Sequence, residues 1–225
     1  MKLKHIIFDF DGTLADSEAL HFKGWNETLK PYNVQLDDFE HYLKTYAGIP
    51  TPANAKSFID MFNLPMTVEE FSEKREHTFH TLLKAHEPEF MPYAIETLNF
   101  FKDRGYPLYL VTGSPRLTID IIFEKTGLNK YFEFEVTRSD VTHSKPHPES
   151  YITAIEKIGD TPESMIVFED TNSGVTAAKA ANLRCFAVQH DVEAHANLNA
   201  ADKIFTNLKD ATDFLETTDL LNNKD

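Results

Sequence analysis

Ile6-Ile7-Phe8-Asp9-Phe10-Asp11-Gly12-Thr13-Leu14 is the stretch that decides how this chain is built. Ile6, Ile7 and Phe8 are apolar without alternation, which predicts a parallel strand buried on both faces. Side chains two apart on an extended backbone point the same way. Asp9 and Asp11 therefore project together just past the strand's carboxyl end, the edge at which open α/β sheets bind ligands. Two like charges so close call for a cation or a shared proton. Gly12 lets the backbone turn sharply away and lets a ligand approach it closely.

Outward from this stretch the pattern changes twice. Residues 17–88 carry almost no strand signal. Ser17 can cap a helix running to about Leu29, which Pro31 ends, and a short helix covers residues 37–45. Thr51 as N-cap with Pro52 at the first helical position opens a third helix, to about Phe62. Thr67 and Glu70 fit a capping box at the head of a fourth, to about Ala85. From residue 93 strands and helices alternate. Ile95, Leu98 and Phe101 mark one helix face, and Leu108–Val111 is a second buried strand running into Thr112-Gly113-Ser114-Pro115, with Ser114 as N-cap of the next helix. Phe132–Val136 is a third strand. Ile152 and Ile155 share a face of the helix begun by Pro148. Residues 165–168 form a strand ending in Glu169-Asp170, followed by a helix of small residues, 174–181. Residues 185–188 and 204–205 are the last strands, and a final helix starts near Asn207. Such alternation argues an α/β fold, a parallel sheet covered on both faces.

The chain's 225 residues, 41% hydrophobic and 26% charged, suffice for one large domain or two small ones. Its formal net charge of −14 repels nucleic acid and anionic membranes, so neither is an expected partner. The single Cys185 excludes an intrachain disulfide and suits a reducing compartment. The charged start is followed by too short an apolar run for a signal peptide, and no stretch approaches the roughly 20 apolar residues of a membrane span. A cytoplasmic monomer is expected. The 18 phenylalanines read as core, and the polar tail from Thr217 to Asp225 is expected to fray.

Three strands end in polar residues on one sheet edge: Asp9 and Asp11, Thr112, and Glu169 with Asp170. Lys145 lies in a loop leading into a helix. Together they make a kit for phosphoryl transfer, in which positioning and charge stabilisation carry most of the catalysis. Asp9 is the candidate nucleophile and Asp11 the candidate general acid and base. Asp9, a backbone carbonyl such as that of Asp11, and Asp170 form an oxygen-only site suited to Mg²⁺. Glu169 is either a further ligand or a support for one. Thr112 offers a hydroxyl, the Gly113 and Ser114 amides precede a helix N-terminus, and Lys145 brings a positive charge to a phosphate. His21 is a candidate substrate contact. Lys74 and Arg75 are either further cations for substrate or part of a solvated helix face. His77 and His80, three apart, could share a metal but read better as surface.

Asp9-Phe10-Asp11-Gly12-Thr13, Val111-Thr112-Gly113-Ser114, Lys145-Pro146 and Phe168-Glu169-Asp170 with Gly174 resemble, in order, the four motifs of the haloacid dehalogenase superfamily. The resemblance covers essentially the whole chain. It implies a Rossmann-like parallel sheet core, residues 1–15 and 89–225, with an inserted all-α cap, residues 16–88, acting as a mobile lid. The stretch Asp16-Ser17-Glu18-Ala19-Leu20-His21 resembles the entry to the cap in sugar-phosphate phosphatases and β-phosphoglucomutases. The implied activity is Mg²⁺-dependent hydrolysis of a small phosphorylated metabolite. The alternatives are a phosphomutase and a non-catalytic phosphate-binding protein. Two departures stand out. Asn182 occupies a position usually held by glycine, and Ala47 and Thr51 fall where the mutase branch places cations.

Overall fold

The computed structural model of the protein describes residues 2–221. Six strands form one wholly parallel sheet: β1 (His5–Phe8), β2 (Leu108–Val111), β3 (Phe132–Val136), β4 (Met165–Glu169), β5 (Arg184–Val188) and β6 (Lys203–Phe205). Their order is β3-β2-β1-β4-β5-β6, the Rossmann-like arrangement expected. The chain steps outward from β1 to β3, then returns to lay β4 on the other side of β1. Phe8 of β1 faces Phe168 of β4. The reversal of direction therefore falls between these two strands, and beyond their carboxyl ends lies the place where open α/β sheets bind ligands.

The chain divides into two compact units, Met1–Asp16 with Glu89–Asp225, and Ser17–Pro88. In the first, the two faces of the sheet carry different cores. Phe8 and Phe168 stack with ring centroids 5.1 Å apart. Phe101 of α5 (Ala94–Asp103) and Phe214 of α9 (Leu208–Glu216) close the same aromatic face. The alternate residues Ile7, Tyr109, Val167 and Cys185 meet the small side chains of α7 (Glu149–Ile158) and α8 (Asn172–Ala180), among them Ala154, Val175, Ala177 and Ala178. Small residues let those helices approach closely. Helix α6 (Arg116–Thr126) connects β2 to β3.

The second unit is all-helical among its described residues: α1 (Glu18–Leu29), α2 (Phe39–Thr45), α3 (Thr51–Phe62) and α4 (Val68–Ala85). It has a core of its own, built on Trp25, Leu29, Tyr42, Ala55, Phe58 and Phe71. The Thr67–Glu70 capping box is present in both directions.

Several expectations shift by a residue, each for a local reason. Pro50, not Thr51, is the N-cap of α3. The buried face of α7 is Tyr151 and Ala154, with Ile155 and Ile158 partly covered, whereas Ile152 is 41% exposed. Asn182 adopts φ +60°, a left-handed conformation that asparagine tolerates better than most residues, so it can replace the usual glycine. The expected fraying does not begin at Thr217. The Thr217 and Thr218 hydroxyls donate back to the end of α9, the Leu3 amide donates to the Leu220 carbonyl at 2.7 Å, and Leu221 is buried. Residues 222–225 of that tail lie outside the described residues. No described helix is long and apolar enough to cross a membrane.

Candidate active site

Because β1 and β4 run side by side in register, their next residues emerge as neighbours, and the Asp9 amide donates to the Phe168 carbonyl at 2.9 Å. Lys145 reaches this place from the loop between β3 and α7. Its Nζ donates to Asp9 Oδ1 at 2.6 Å, Glu169 Oε1 at 2.6 Å and the Val111 carbonyl at 3.0 Å. An ammonium has three donors, and here they tie together the ends of β1, β4 and β2. The Lys145–Pro146 peptide is cis.

Glu169 is wholly buried and receives four donors. Oε1 also accepts from the Tyr151 hydroxyl at 2.7 Å, and Oε2 accepts from the Asp170 amide at 3.2 Å and Thr171 Oγ1 at 3.4 Å. A β-carbon on Gly174 would sit 1.9 Å from this carboxylate. Thus the glycine at the head of α8 makes room for the Glu169 head group. Tyr151 was not among the residues the sequence singled out. The spacing Tyr151, Ala154, Ile155 and Ile158 is itself an amphipathic helix signal, and its first member carries a hydroxyl at a buried position.

Asp11 accepts from Ser114 Oγ at 2.7 Å. Ser114 was expected to cap α6, but its hydroxyl is turned to donate to the Asp11 carboxylate, and Pro115 takes the cap position instead. The Ser114 amide donates to Thr112 Oγ1 at 3.0 Å, so the turn after β2 is closed by its own threonine. Thr112 is buried and Gly113 is exposed. Gly12 combines φ +79° with close contact: a β-carbon there would fall 2.0 Å from Asp170 Oδ2. Only glycine allows both.

The electrostatics are strongly coupled. Burial pushes the Asp9 carboxyl well above its ordinary range, the Glu169 carboxylate adds to this, and the Lys145 ammonium opposes it. Burial alone would lower the Lys145 pKa, but Asp9 and Glu169 outweigh it and hold the ammonium charged. Asp9, Glu169 and Asp170 each offer an oxygen within 4.8 Å of the others. These are hard oxygen donors, with Gly12 leaving room for Asp170 beside them, and such a set fits Mg²⁺. The Asp11 carboxylate is not a member of that trio.

Asp9, Asp11, Thr112, Gly113, Ser114, Lys145, Glu169 and Asp170 all belong to the first unit, whereas His21 belongs to the helical one. There His21 stacks on Phe79 with ring centroids 4.3 Å apart, and its Nδ1 lies 2.5 Å from Arg75 Nη2. Arg75 is not on a solvated face. It is 4% exposed, its guanidinium over the rings of Trp25 and Phe79. Lys74 is exposed and donates to the Tyr32 hydroxyl. Neither potential metal cluster among the described residues contains His77 or His80.

Comparison with known proteins decides the family. Residues 6–188 match the family described as haloacid dehalogenase-like hydrolase. This chain belongs to that family. It is 30% identical over 195 residues to a phosphorylated carbohydrates phosphatase of Thermotoga maritima, an alignment spanning 84% of this chain and 87% of that one. It is 31% identical over 179 residues to the fructose-1-phosphate phosphatase YqaB of Escherichia coli, spanning 79% and 92%. The fold superposes on CbbY from Rhodobacter sphaeroides, crystallised with phosphate, with a TM-score of 0.79 at 24% identity over 92% of this chain and 95% of that one.

Proposed function

We propose that this haloacid dehalogenase-like hydrolase is a Mg²⁺-dependent phosphatase acting on a small phosphomonoester, a sugar phosphate or a similar metabolite. The observation that carries the reading is the placement of Lys145 Nζ at 2.6 Å from both Asp9 and Glu169, at the carboxyl ends of two adjacent parallel strands. The phosphatases of Thermotoga maritima and Escherichia coli support the substrate class by likeness.

Asp9 attacks phosphorus and the bond to the ester oxygen breaks, leaving an aspartyl-phosphate. Asp11 gives its proton to the departing alcohol. It then takes a proton from the water that attacks the phosphoryl group, which restores Asp9 and releases inorganic phosphate. The Ser114 hydroxyl orients Asp11 for both transfers. Lys145 and the Gly113 amide of the turn after β2 stabilise charge on the phosphoryl oxygens. Asp9 and Asp170 would hold the Mg²⁺, which supplies further charge stabilisation when bound. Glu169, its oxygens already engaged, positions Lys145.

A panel of phosphomonoesters assayed with Mg²⁺ for inorganic phosphate tests this. Turnover of one or more esters, abolished in a folded Asp9→Asn variant, is expected. No turnover across a broad panel would overturn it. Isomerisation of β-glucose 1-phosphate outrunning phosphate release would turn the reading to a mutase.

A further inference from the structure

The loop that delivers Lys145 carries a second group of metal-type donors, away from the carboxylates already described. His143 and His147 flank Lys145 in the chain, and Glu149 opens α7. One ligand-type atom from each of the three lies within 4.8 Å of the others. Glu149 is held in place by the amides of Thr142 at 2.7 Å and His143 at 2.8 Å. Its Oε2 lies 2.7 Å from His143 Nδ1 and 3.9 Å from His147 Nδ1. The two imidazole rings are 4.6 Å apart, centroid to centroid. Both are more than half exposed, so an ion can reach them from solvent.

We propose that His143, His147 and Glu149 form a second metal site, selective for a Zn²⁺-class transition ion over Mg²⁺. Two imidazoles and one carboxylate are a borderline-soft set that Zn²⁺, Co²⁺ and Ni²⁺ prefer. Asp9, Glu169 and Asp170 offer oxygen alone. Bond lengths of roughly 2.0–2.1 Å in a tetrahedron put ligand atoms about 3.3 Å apart. The separations of 2.7 and 3.9 Å bracket that value, and small rotations of two exposed rings equalise them, His147 Nδ1 giving up the long 3.3 Å hydrogen bond it accepts from the Glu149 amide. As the ion bonds to His143 Nδ1, the proton shared between that nitrogen and Glu149 passes to solvent, and water completes the coordination. Shared ligation by His143 and His147 closes a ring through the backbone that carries Lys145, so occupancy stiffens that segment.

The test titrates the full chain with Co²⁺ in excess Mg²⁺, reading visible d–d absorption and the equivalents bound at equilibrium dialysis. One equivalent with tetrahedral-type bands is expected. His143→Ala and His147→Ala should each weaken it by about 10-fold or more, while Asp170→Asn retains it. Absence of the bands, their survival in both histidine variants, or their loss in Asp170→Asn would overturn the proposal. In the unaltered chain, Zn²⁺ but not Mg²⁺ should shift the ring-proton resonances of His143 and His147. Unchanged resonances would count equally against it.

Discussion

Gly174 and Glu169 exclude one another's growth: a β-carbon on the glycine would lie 1.9 Å from the glutamate's carboxyl carbon and 2.0 Å or less from both of its oxygens. The carboxylate cannot retreat, because it is wholly buried and anchors Lys145 at 2.6 Å and Tyr151 at 2.7 Å. Gly174→Ala should therefore do two things. Overpacking of this kind costs about 1–3 kcal/mol, read by denaturant unfolding. A displaced Lys145 should lower kcat by about 10²-fold, the scale of a misplacement near 1 Å. Gly113 is the control for stability, since a β-carbon there meets nothing within 4 Å. Gly113→Ala should shift stability by less than about 0.5 kcal/mol.

Tyr151→Phe removes one donor from Glu169 while keeping the ring that packs in the core. Tyr151 is wholly buried, and a buried hydrogen bond to a charged group contributes about 1.5–3 kcal/mol. A loss of about 2 kcal/mol is expected. Because Tyr151 acts through Glu169 and Lys145, kcat should fall while the KM for a phosphomonoester changes little. A fall in stability with unaltered kcat would show the hydroxyl to be structural only.

The ends of the three central strands were legible because each motif couples an apolar run to a polar stop, and a parallel sheet brings such stops to one edge. Four features were hidden. Tyr151 lies 18 residues before its partner Glu169, across a helix-to-strand crossover, and no local pattern joins them. The Ile152 and Ile155 face was chosen on residue type, yet the sheet buries Tyr151 and Ala154, a rotation of about 100° for one residue. Ser114 reads as a cap from its neighbours, but its hydroxyl is claimed by Asp11, 103 positions away. Arg75 looked like a surface cation because nothing in α4 announces that the rings of Trp25 and Phe79 lie against it.

That buried guanidinium gives a prediction for the helical unit. Arg75 is 4% exposed, with its carbon centre 4.4 Å from the Phe79 centroid and 5.1 Å from that of Trp25. Desolvated cation–π contacts contribute about 2 kcal/mol. Arg75→Ala should lose at least about that much, with packing lost besides. Arg75→Lys should recover only part, since an ammonium is more strongly hydrated and cannot lie flat on a ring. Thermal unfolding followed by Trp25 fluorescence reads both.

The last prediction concerns pH and the cation, and its sign follows from Asp9. Burial, with Glu169 beside it, raises the folded-state pKa of Asp9 above its unfolded value. Between those two values the folded chain holds a proton that the unfolded chain has lost. Without a divalent ion, stability must therefore fall as pH rises through that window. Mg²⁺ competes with the same proton, so its binding strengthens as the proton leaves. The rise in melting temperature at a fixed, subsaturating Mg²⁺ concentration should thus be larger at a pH above that window than at one within it. Asp170→Asn should shrink that rise at both values, and Asp9→Asn should remove its pH dependence. A rise independent of pH in the unaltered chain would mean that the ion does not displace the Asp9 proton, and that another set of carboxylates holds it.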